Sequence, residues 1–134
     1  MAAAVWAVQE PLDQRLFRSD YSDVAVLGKA VARGRHWWTA GLVIHAANGV
    51  VFGLVYDGLR RRTRTEPVRL AVALALVEHL ALFPLVHVVD RVHPAGGEEG
   101  VPTLAGNRRA FAQATWRHAL FGAVLGGLVA RRDR

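Results

Sequence analysis

Residues 37–56 read Trp-Trp-Thr-Ala-Gly-Leu-Val-Ile-His-Ala-Ala-Asn-Gly-Val-Val-Phe-Gly-Leu-Val-Tyr, without an Asp, Glu, Lys or Arg. At about 1.5 Å per residue, a helix of that length covers the ~30 Å hydrocarbon core of a bilayer. Trp37, Trp38 and Tyr56 stand at its two ends, where amphipathic rings anchor a span at the water–lipid boundary. Two more apolar blocks follow. Residues 68–89 are interrupted by Arg69, Glu78, His79 and His87, and residues 110–130 by Arg117 and His118. Three blocks of this kind are more apolar surface than a 134-residue chain can cover in water, which favours a membrane bundle over a soluble one.

The expected fold is an all-α integral membrane bundle, one domain over residues 1–134, with helices near 2–17, 23–33, 37–59, 67–90 and 108–131. Three of these are read as transmembrane. The N-terminal helix is a marginal fourth, because it carries Gln9, Glu10, Asp13 and Arg15 and is kinked at Pro11. The turn Ser19-Asp20-Tyr21-Ser22-Asp23 introduces a short helix expected to lie at the interface until Gly34 stops it. Pro67 suits the first turn of its helix, Pro84 should bend the same helix, and Asn107 should cap the last one after the Gly- and Pro-rich loop 93–106. Asp90 reads as a solvated cap or a partner of Arg91, and His87 and His93 as exposed histidines.

The net charge is +6, and mean hydropathy is only +0.19 because charges gather between the apolar blocks. In a soluble protein this excess would suggest nucleic acid. Here Arg60, Arg61, Arg62 and Arg64 form a short connector between two spans, which reads as a positive-inside loop touching anionic lipid. No basic helix with interleaved aromatics accompanies it, so nucleic acid is not an expected partner. The connector and the Arg131-Arg132-Asp133-Arg134 tail fall on the cytoplasmic side, in a multi-pass protein of the cell (inner) membrane whose first partner is the lipid bilayer. There is no cysteine, which excludes disulfides, thiol catalysis and thiolate metal sites. The N-terminus lacks the basic start of a signal peptide.

His-Ala-Ala-Asn-Gly-Val-Val-Phe-Gly at 45–53 recurs as His-Ala-Leu-Phe-Gly-Ala-Val-Leu-Gly at 118–126. At helical spacing His45, Gly49 and Gly53 form one stripe, and His118, Gly122 and Gly126 another. Each ends in Gly-x-x-x-Gly, a pattern that lets helix backbones meet closely in a membrane, within the bundle, in a homo-oligomer or against another membrane protein.

His45, Asn48, Glu78, His79, Arg117 and His118 fall near mid-depth of their helices and form an expected polar layer, which Gln9 and Glu10 would join. Such a layer can hydrogen-bond helices together, carry protons or small solutes, or hold a metal or haem. No spaced metal-ligand motif is present, and the adjacent Glu78 and His79 point about 100° apart on a helix. Serine-nucleophile, phosphate-loop and dinucleotide motifs are absent as well. The expectation is therefore a structural or assembly role with no cofactor, no metal and no enzymatic activity. Proton or solute passage is the alternative, and metal or haem binding ranks behind it. Arg117 cannot shed its charge, and Glu78 is its expected partner by depth, with Glu10 as rival.

The phrases Leu12-Asp13-Gln14-Arg15-Leu16-Phe17, His45-Ala46-Ala47-Asn48-Gly49, Glu78-His79 and Trp116-Arg117-His118-Ala119-Leu120-Phe121-Gly122 resemble the YagU-like group of small bacterial inner-membrane proteins. The resemblance extends over most of the chain. It implies an α-helical membrane protein associated with survival of acid stress, and it assigns no catalytic residue.

Overall fold

Three helices begin where a side chain takes up their first free N–H groups. Ser22 accepts from Ala25 N at 3.1 Å, Glu66 from Val68 N and Arg69 N at 2.9 Å each, and Asn107 from Ala110 N at 3.0 Å. The computed structural model describes residues 2–133, with side chains for residues 9–133. Over that range the chain is all-helical: α1 (Ala2–Phe17), α2 (Asp23–Val31), a 3₁₀ turn Gly34–His36 leading into α3 (Trp37–Arg60), α4 (Pro67–Leu82), a 3₁₀ turn Phe83–Leu85, α5 (Val86–Val92) and α6 (Arg108–Arg132). A 3₁₀ turn at Pro84, where a bend is expected, divides the helix over 67–90 into α4 and α5.

α4 and α6 run antiparallel with their backbones in contact. A Cβ on Gly122 would stand 2.7 Å from Val72 Cα, and one on Gly126 2.5 Å from Val68 Cα, so only glycine permits this approach. The second Gly-x-x-x-Gly stripe is thus used inside the bundle. The first differs: Gly49 is half-buried, and Gly53 has nothing within 4 Å of the place of a Cβ. The close approach on α3 lies elsewhere, where Gly28 of α2 meets the backbone of Trp37 and Gly41 meets that of Val24. α2 is therefore bound along the first half of α3.

One end of the bundle closes on α3, α4 and α6. Phe52 and Tyr56 pack with Ala71, Ala75, Leu74 and Phe121, Tyr56 Oη donates to Pro67 O at 3.1 Å, and Arg60 pairs with Asp133. The other end closes through the loop 93–107. His93 Nε2 meets Val26 O at 2.8 Å while its Nδ1 accepts from Ala95 N, and Asp90 accepts from Leu104 N and Ala105 N. Asp90 and His93 are loop clasps, in place of the solvated cap and exposed histidine expected.

Beside an apolar core that includes Phe52, Tyr56, Ala71 and Ala75, the chain buries charged and polar groups and leaves many large aliphatic side chains exposed. Fully buried side chains include Arg117 and Gln113 at 0% exposure and Asp13 at 1%, while Val43, Val50, Val51, Leu54, Val77, Leu80 and Val88 are all more than half exposed. Two helical stretches, Gly34–Arg60 and Pro67–Val92, are long and apolar enough to cross a membrane, and only 11% of the most apolar window of each is buried. A core helix of a soluble protein would be mostly buried. α1 and α6, expected as further spans, do not meet the same length-and-composition measure. α1, at 16 residues, is too short, and Gln113, Arg117 and His118 interrupt α6.

Candidate functional site

α6 carries Gln113 and Arg117 four residues apart, hence on one face, and that face is covered by α1 and by the turn leading into α2. Asp13 sits at the same depth from α1. Arg117 grips it in a two-pronged pair, Nε to Oδ2 at 2.6 Å and Nη2 to Oδ1 at 2.7 Å. Asp13 also accepts from Gln9 Nε2 at 2.6 Å and from Gln113 Nε2 at 2.7 Å, so its carboxylate takes four donors in a dry place. The rest of the guanidinium turns to α2. Nη1 donates to Asp23 Oδ2 at 2.6 Å, and Nη2 also reaches Tyr21 O at 3.2 Å. Tyr21 donates its hydroxyl to Asp23 and lies under the guanidinium, with 5.5 Å from Cζ to the ring centroid. Glu10 stands at the edge, 4.0 Å from Nη2.

Three acidic groups thus face one guanidinium that joins α1, α2 and α6. Among the described residues, Gln113 Oε1 is the one buried side-chain oxygen or nitrogen left without a partner. The expected Arg117–Glu78 pair is absent. Glu78 is half-buried on α4 and makes no hydrogen bond or ion pair among the described residues. The rival Glu10 is present but secondary to Asp13 and Asp23. Asp13 and Asp23 both lie outside the apolar blocks, the first on the polar N-terminal helix and the second at the start of α2. The available signal is that a residue unable to lose its charge needs a carboxylate, and four of the chain's eleven acids, at 10, 13, 20 and 23, lie close together before the first span.

A second polar group lies between α4 and α6. His79 is 3% exposed, its ring 4.8 Å from that of His118 and in contact with Phe83 and Phe111. Thr115 Oγ1 gives its proton to Phe111 O at 2.8 Å, so at 2.9 Å it must accept from His79 Nε2–H, which leaves His79 Nδ1 as a bare acceptor. His118 Nδ1 faces Ala114 O at 2.8 Å and must donate to it. A pocket of about 140 Å³ bordered by Tyr21, His79, Phe83, Leu104, Ala114 and His118 connects this pair to the edge of the charge cluster. His45 is half-buried. Asn48 does not join the layer; it is exposed on α3. Among the described residues, no group of three or more His, Asp or Glu side chains is arranged to hold a metal ion.

No protein-family model, curated protein sequence or solved structure matches this chain.

Proposed function

We propose that the protein is a helical bundle of the cell membrane in which α3 and α4–α5 cross, α6 crosses beside them with its charge turned inward, and α1 and α2 insert on one side to satisfy that charge. Its role on this reading is structural, holding a membrane assembly in register. The observation that carries it is a fully buried guanidinium with Asp13, Asp23 and Tyr21 O on its donors, inside a surface of exposed Val and Leu. In hydrocarbon the alternative to these contacts is an unsatisfied charge, so the cluster fixes α1 and α2 against α6. Single cysteines at Thr63, Gly97 and the C-terminus of this cysteine-free chain test the placement in sealed vesicles. Thr63 and the C-terminus should label from one side and Gly97 from the other; a chain that stays in solution without detergent overturns it.

The His79–His118 contact favours a second reading, proton passage, and the acid-survival association implied by the resemblance to YagU-like proteins attaches to it. The two imidazoles border one pocket with Tyr21, whose hydroxyl donates to Asp23, and imidazoles so placed can relay protons. Purified protein in vesicles under a pH gradient separates the two: the structural reading expects no flux above empty vesicles. A flux lost on His79→Gln would replace it with passage.

A further inference from the structure

Asn48 lies at the centre of α3, eleven residues after Trp37 and twelve before Arg60. On the membrane reading, on which this inference rests, that places it about 16 to 18 Å from either end, at the middle of the bilayer. It is exposed, and its side chain has no hydrogen-bond partner among the described residues. Around it α3 offers lipid only apolar groups. Ile44, Asn48, Val51, Val55 and Gly58 follow one another at alternating steps of four and three, the spacing of a two-helix seam, and the last four are exposed. Gly53 is five residues from Asn48 and so about 140° around the helix, off this seam. Gly122 and Gly126 are already occupied by α4.

A carboxamide carries both donors and an acceptor, and lipid supplies neither. The seam has no charged group along its length, so it presents no charge complementarity to a different protein. The group that answers an amide with both halves at the same depth is the same amide, brought opposite by a two-fold axis along the membrane normal. We propose that α3 pairs with α3 of a second copy of this chain in a parallel dimer, with the two Asn48 side chains hydrogen-bonded to each other at mid-membrane and Val51 and Val55 packed on either side of the seam.

The absence of cysteine makes the test direct. Single cysteines are introduced into the full chain in native membranes and oxidised. Val51→Cys and Val55→Cys should form disulfide dimers, while Val50→Cys and Leu54→Cys, each turned about 100° away, should not. Adding Asn48→Val to Val51→Cys should cut the dimer by about tenfold, and Asn48→Gln should retain most of it. Circular dichroism in detergent checks that the Asn48 variants remain folded. Equal cross-linking at all four positions, a dimer indifferent to Asn48→Val, or Val51→Cys linked to a different protein overturns the proposal. Retention of the chain in carbonate-washed membranes without a cross-link refutes the dimer alone, whereas release from them refutes the membrane reading as well.

Discussion

At the connector end, α6 meets α4 with bare backbone: Gly122 and Gly126 lie against Ala71, Val72, Pro67 and Val68, and the neighbouring contacts are Phe52, Tyr56 and Phe121. Two turns back along the same helix, α6 meets α1 and α2 through Arg117, Asp13, Asp23 and Gln113. The first contact is made by removing side chains and the second by matching charges. Close packing tolerates little change of shape, whereas a buried ion network tolerates little change of chemistry. The two ends should therefore fail differently.

The largest effect is expected at the charged end. Arg117→Leu leaves Asp13 and Asp23 without their cation and should cost about 3–5 kcal/mol, enough to abolish folded protein in detergent. Arg117→Lys should not restore it, since a point charge cannot make the two-pronged pair with Asp13 while also reaching Asp23. Glu78→Leu is the control and should leave thermal unfolding nearly unchanged. If Glu78→Leu proves as damaging as Arg117→Leu, the cluster described here is not what holds the charge.

At the glycine end, Gly126→Ala places a methyl 2.5 Å from Val68 Cα, and the helices must separate to admit it. Overpacking of this kind costs about 1–3 kcal/mol. Gly53→Ala meets open space and should instead stabilise α3 by about 0.5–1 kcal/mol through helix propensity. Thermal melts followed by circular dichroism, with opposite signs at the two positions, would confirm that only one copy of the Gly-x-x-x-Gly pattern packs.

These contrasts mark what the sequence could reveal. Helix boundaries were legible to within a few residues because caps and prolines act locally: Ser22, Glu66, Asn107 and Pro84 each do what their chemistry suggests. Close packing was half legible. Gly122 and Gly126 are used as their spacing implies, but nothing local separates them from Gly53, since the difference lies in which helix arrives opposite. The charge cluster was hidden for the same reason. Arg117 announces its need for an anion, yet Asp13 is 104 residues away in a helix too polar to be read as inserted. Asp23 lies 94 residues away at the start of a helix whose docking depends on Gly28 and Gly41. Gln9, Tyr21 and Gln113 become site residues only once these elements are brought together.

The smallest expected effect lies at the entry to the glycine end, where Glu66 caps α4. Both of its oxygens accept backbone N–H bonds, from Val68 and Arg69, and these hold its carboxyl below the ordinary glutamate value. Because the folded value lies below the unfolded one, the stabilisation is fully present above the unfolded value and disappears as pH falls through the folded one. The residue is exposed, so water and salt keep the contribution small. Comparing wild type with Glu66→Gln in detergent, the gap in unfolding temperature should be open at about pH 7 and close by about pH 3, as the cap loses its charge. The same titration on Gly126→Ala should leave the cost of the added methyl unchanged, because no ionisable group takes part in that contact. A Glu66 gap that persists unchanged at low pH would show that the cap works by hydrogen-bond geometry alone.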